Sequence, residues 1–219
     1  MKSNEELQRN VVAAINWEPL LQAAEIGVMA NDAVVTLTGS VNTYAKKAEA
    51  EMAAKNVVGV KTVVEDIKVI CSDKDKRTDT EIMTAIENAF KWHWDIPTEK
   101  VAAIVENSWV FLSGELEWNY QKEATKSAVS NLIGITGITN NIAVSNSSKD
   151  VIEQNDIEIA IERNGTINNK DIAVYVFDNV VTLKGHVDSW HEKSEAERIA
   201  WNAPRVKQVQ NDLYVDFDE

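Results

Sequence analysis

One short motif occurs three times in this chain, and it limits the possible folds more than any other feature. Gly39 stands in Val35-Thr36-Leu37-Thr38-Gly39-Ser40-Val41, Gly114 in Val110-Phe111-Leu112-Ser113-Gly114-Glu115-Leu116, and Gly185 in Val181-Thr182-Leu183-Lys184-Gly185-His186-Val187. The glycines are 75 and 71 residues apart. A period that long is a small domain, not a solenoid turn. The register holds without gaps on both sides. Ile26/Val101/Ile172 and Val28/Ala103/Val174 precede the motif, and Val60/Ile135/Val206 and Ile67/Ile142/Leu213 follow it. Each unit therefore builds the same core.

Periodicity assigns the elements. Ile26, Val28 and Ala30 alternate, as do Val35, Leu37, Gly39 and Val41, which is the period of a half-buried strand. Asn31-Asp32, Asn107-Ser108 and Asp178-Asn179 separate the two strands with residues that tolerate left-handed backbone. Ile67/Val69, Ile142/Val144 and Leu213/Val215 close each unit as a third strand. Leu7, Val11, Ala14 and Ile15 recur at helical steps before the hairpin, and Ala50, Ala53, Ala54 and Val57 do so after it. The expectation is α+β: three tandem α-β-β-α-β modules, each a small three-stranded sheet with two helices on one face. The units fall at residues 1–70, 77–145 and 150–219. Short polar joins, Cys71 to Lys76 and Ser145 to Asp150, connect them. Gly39, Gly114 and Gly185 fall where the second strand ends, where glycine permits positive φ and a close backbone approach.

Charge and composition narrow the function. The net charge is −13. Residues 1–74 hold 8 Lys/Arg against 10 Asp/Glu, residues 75–148 hold 6 against 10, and residues 149–219 hold 8 against 15. Nucleic-acid binding depends on neutralising phosphates, so a nucleic-acid partner is not expected. Cys71 is the single cysteine, which excludes an internal disulfide and fits a reducing compartment. The N-terminus, Met1 to Leu7, has no apolar signal core. With no long apolar run, the expectation is a cytoplasmic protein without a transmembrane segment, or a periplasmic one if a leader has been removed.

No pattern in the chain carries chemistry. His93, His186 and His191 lack metal-ligand spacing, and Asp73-Lys74-Asp75 lacks the Gly and Glu that a calcium loop needs at positions 78 and 84. Cys71 has no placed histidine, and a Gly-rich phosphate loop is missing. No catalytic residue, metal or cofactor is expected. Seven tryptophans stand out instead. Trp17 and Trp92 align near the end of the first helix, and Tyr44, Trp118, Tyr120 and Trp190 cluster after the second strand. These either cap the small cores and pack between modules, or form a binding surface. Lys47, Lys122 and Lys193 form a basic column at the start of the second helix, with Lys46 beside the first. They either face anionic lipid or pair with neighbouring glutamates such as Glu51 and Glu123.

The α-β-β-α-β unit, with V-x-L-x-G-x-V at its second strand and a close such as Val60-Lys61-Thr62-Val63-Val64-Glu65-Asp66-Ile67-Lys68-Val69, resembles the BON domain family. Three copies cover nearly the whole chain, a layout similar to the osmotically inducible periplasmic protein family. The resemblance implies a non-catalytic bacterial protein that attaches to phospholipid or membrane surfaces, linked to osmotic stress. Lys46, Lys47, Lys122, Lys193, Tyr44, Trp118, Tyr120 and Trp190 are the lipid- or partner-binding candidates. A protein-interaction scaffold and a small-molecule binder at an inter-domain seam are the alternatives. A second family glycine matches Gly59 and Gly134, while Pro204-Arg205 stands in its place in the third unit, so the backbone there is expected to differ.

Overall fold

The computed structural model describes residues 3–22, 24–145, 154–165, 167, 171–204 and 206–215. The first unit runs α1 (Asn4–Trp17), β1 (Glu25–Asn31), β2 (Val34–Val41), α2 (Tyr44–Lys55) and β3 (Thr62–Val69). The second repeats this as α3 (Asp79–Trp92), β4 (Val101–Glu106), β5 (Trp109–Leu116), α4 (Asn119–Ser130) and β6 (Gly137–Val144). The third follows with α5 (Gln154–Glu162), β7 (Ile172–Phe177), β8 (Val180–Val187), α6 (Trp190–Asn202) and β9 (Gln208–Val215). The fold is α+β in three tandem units, as the periodicity predicts. The join at 146–150, and Arg205, lie outside the described residues.

Each sheet has three strands, with the glycine-bearing strand in the middle. β1 pairs antiparallel with β2 through a hairpin, and β3 pairs parallel with β2 after the crossover through α2. The same register recurs in β4-β5-β6 and β7-β8-β9. Alternation puts Val35, Leu37 and Val41 under the helices, where they are buried with Val11, Ile15, Ala50 and Ala54. Ile86, Leu112, Val129 and Ile142 repeat that core in the second unit, and Ile157, Leu183, Ala200 and Leu213 in the third. A further buried column, Leu21, Ile96 and Ile167, pins the loop that leads from each first helix to the sheet.

The hairpins are two-residue turns with positive φ at Asp32 and Ala33, Asn107 and Ser108, and Asp178 and Asn179. In the first unit the turn lies one residue later than Asn31-Asp32, because Asn31 pairs with Val34 as the last residue of β1. Gly39, Gly114 and Gly185 lie inside the middle strand, two residues before its end, at φ of +119°, +143° and +120°. A Cβ there would collide with the backbone carbonyl of Glu25, Lys100 or Asp171 on the neighbouring strand's approach. In the third unit α6 ends differently from α2 and α4. Asn56 and Asn131 close their helices in the αR region, whereas Ala203 is extended at φ −63° and ψ 137°. Pro204 imposes this on the residue before it.

Candidate functional site

The strand directions give every unit two unlike poles. At one pole lie the first helix's N-terminus, the hairpin and the loop entering the third strand. Side chains bolt it shut. Asn4 Oδ1 accepts from the Asp32 amide at 3.0 Å. Asp79 does the same for the Asn107 and Ser108 amides at 2.9 and 2.8 Å. At the other pole, the loop after the first helix, the turn into the second helix and the end of the third strand converge.

In the second unit this other pole is aromatic. Trp92 closes α3 with 87% of its surface exposed, and Trp94, two residues on, is 92% exposed. Trp118 and Tyr120 stand across the pole at the start of α4, both exposed. Lys100 Nζ bonds Glu117 Oε1 at 2.9 Å and ties the two loops together. In the first unit Trp17 is 85% exposed, with Leu20 and Ile70 also exposed near it in the fold. Lys46 lines a surface groove of about 480 Å³ at that pole with Glu25, Ser40, Asn42 and Ile70. The third unit has Arg163 and Gly165 at the register positions of Trp92 and Trp94.

Trp118 occupies a position that local energetics assign to another residue type. At the same register, Thr43 Oγ1 accepts from the Lys46 amide and Ser189 Oγ from the Glu192 amide, so both cap their helices. Trp118 has no acceptor for this task. Its own amide donates to Gln121 Oε1 at 3.2 Å, which is one half of a capping pair. Losing a hydroxyl cap costs about 1 kcal/mol. The second unit carries that cost and presents an indole instead.

The other sequence candidates occupy different settings. Lys47 Nζ donates to the Ile67 carbonyl at 3.0 Å and pairs with Glu65 Oε2 at 2.9 Å. Lys193 Nζ donates to the Leu213 carbonyl, the same register position. Burial holds the Lys193 ammonium below the usual lysine range, against the opposing pull of Glu197 and Asp212. At Lys122 the backbone carbonyl accepts from Asn140 Nδ2, as the Lys193 carbonyl does from Asn211 Nδ2. The basic column thus stands at a helix-to-strand tie. Tyr44 packs against the second unit's core, where burial, then Glu51 and Glu65, push its hydroxyl above the usual tyrosine range. Trp190 is half-buried, with Lys193 Nζ 5.2 Å and Lys55 Nζ of the first unit 5.6 Å from its ring centroid. Its indole Nε1 is buried and has no hydrogen-bond partner among the described residues.

The structure therefore brings Trp118 and Tyr120 to one pole with Trp92 and Trp94, puts Lys46 at the matching pole of the first unit, packs Tyr44 against the second unit's core, and packs Trp190 against its own unit's core with Lys55 of the first unit over its ring. Sequence reasoning noted the Trp17/Trp92 column without making it a site and missed Trp94. The available signal was position: both follow the last buried residue of α3, Phe90, and precede Ile96, the residue that pins the loop. A cavity of about 510 Å³ lies between α5 and α6, and one of about 340 Å³ between α3 and β4, each lined by residues of one unit. Among the described residues, no three His, Cys, Asp or Glu side chains group as metal ligands, and no helix is long and apolar enough to cross a membrane.

The BON domain matches residues 3–71, 78–146 and 150–216. Osmotically-inducible protein Y of Escherichia coli (strain K12) is 25% identical over 187 residues, covering 82% of this chain and 92% of that protein. An uncharacterized protein in the gshII 5' region of Anaplasma centrale is 46% identical over 48 residues, 22% of this chain and 32% of that one. Among solved structures, the C-terminal domain of CdsD, a structural protein of the Chlamydia trachomatis type III secretion system, is 12% identical. It aligns over 98% of this chain and 100% of its own, with a TM-score of 0.26.

Proposed function

The chain belongs to the BON domain family, and from that membership we propose that it is a non-catalytic binding protein that attaches to phospholipid surfaces through the aromatic poles of its first two units. The likeness to an osmotically inducible protein supports a role under osmotic stress. One observation carries the lipid reading: Trp92 and Trp94, two residues apart, are 87% and 92% exposed at the tip of a unit whose buried core does not include them. Indoles with an apolar body and a polar N–H partition to the headgroup boundary of a bilayer.

Magnitudes favour the indoles over the lysines. Each Trp offers about 150–250 Å², so at about 25 cal/mol/Å² full burial is worth at most about 6 kcal/mol apiece. A lysine near an anionic surface contributes about 1 kcal/mol, and the amines of Lys47 and Lys193 already bond main-chain carbonyls. Sedimentation of the whole chain with phospholipid vesicles tests the reading. Co-pelleting supports it, and recovery in the supernatant with every vesicle type contradicts it.

The protein-scaffold reading rests on another surface. The uncovered face of the third sheet shows Phe177 at 86% exposure, with Tyr175 and Tyr214 also exposed. Under that reading, Phe177→Ser would abolish partner capture while leaving vesicle binding intact.

A further inference from the structure

Resting on the lipid reading above, we propose that the second unit's pole inserts its indoles into the headgroup boundary of phospholipid bilayers whatever their charge, so that anionic lipid is not required. The charges at the pole point that way. Across residues 91–100 and 115–123, three lysines face five carboxylates, and one of those lysines, Lys100, is already paired with Glu117 at 2.9 Å. A pole of this sign repels an anionic surface, so the attraction must come from apolar insertion. Trp118 is independent support, because an indole stands where the other two units keep a capping hydroxyl. Substituting an indole for a cap gains nothing for charge-based docking. It does add a third indole to a pole that already exposes Trp92 and Trp94.

Insertion and charge attraction respond differently to salt, because added ions screen exposed charges and leave apolar transfer intact. The test uses the full chain with vesicles of phosphatidylcholine alone and of phosphatidylcholine with added phosphatidylglycerol, each at low and high salt. The expected result is binding to both vesicle types, with affinity for the phosphatidylglycerol vesicles no higher than for phosphatidylcholine alone and not weakened by added salt. A W92S/W94S variant is expected to lose at least about tenfold on both vesicle types. Its unfolding midpoint should match the parent, since both side chains are exposed. Binding confined to the phosphatidylglycerol vesicles and lost at high salt overturns this inference and leaves lipid attachment standing. Undiminished binding by W92S/W94S also overturns it. Failure of the parent chain to bind either vesicle removes the lipid reading itself.

Discussion

At Gly39, Gly114 and Gly185 the backbone adopts a φ that L side chains rarely occupy, and the space a Cβ would need belongs to the neighbouring strand's carbonyl. Both penalties fall on any substitution. Gly114→Ala is expected to destabilise the second unit by about 3 kcal/mol or more, read as a lower denaturant midpoint. Trp118 shows the opposite kind of residue, one that its local structure does not ask for. Trp118→Ser restores the acceptor that caps α2 and α6, which returns about 1 kcal/mol and offsets lost packing. Its unfolding free energy should therefore stay within about 1 kcal/mol of the parent, while vesicle affinity falls. A large stability loss with unchanged vesicle binding would make Trp118 a packing residue.

Elements are joined by polar ties that periodicity does not reveal. Lys47 bridges α2 to β3 through Glu65 and the Ile67 carbonyl, so Lys47→Ala removes the counter-ion of a half-buried carboxylate that keeps its bond from the Ile67 amide, and is expected to cost about 1–2 kcal/mol. Lys46→Ala, on the open side of the same turn, should stay within about 0.5 kcal/mol. Thermal melts of the two variants separate a structural lysine from a surface one. In the third unit, Glu195 accepts from Arg198 at 2.8 and 2.6 Å and from Asn164 at 2.8 Å, linking α6 to the end of α5. The Arg198 guanidinium, then Asn164, hold the Glu195 carboxyl at about 2, below the usual 4.5. A depressed acid contributes its stability above the unfolded value and loses it as pH falls through the folded one. The third unit should weaken between about pH 4.5 and 2. Glu195→Gln should flatten that part of the pH–stability curve.

Across the described residues, side-chain links between the three small cores include Tyr44 on the second unit's core and Lys55 near Trp190. The repeat made the fold legible in the sequence, because a buried column such as Val35/Val110/Val181 obeys one packing rule in every copy. The proposed site was less legible, because it lies where the copies differ. Trp94 aligns with Pro19 and Gly165, so no column marks it. In sequence Trp118 is one more aromatic beside Tyr44 and Trp190, although Tyr44 packs on the second unit's core, Trp190 packs on its own, and Trp118 is exposed. Sequence spacing could not separate these cases, since exposure depends on how the loops fold over Leu21, Ile96 and Ile167. Nor could it show that Lys47 and Lys193 bond main-chain carbonyls some 20 residues away.

The aromatic pole of the second unit is proposed to enter a bilayer. Quenching of tryptophan fluorescence by lipids brominated along their acyl chains tests it directly in the full chain. Quenching is expected on vesicle binding, and it should largely disappear in W92S/W94S. Binding without quenching, or quenching that survives the double substitution, would contradict it.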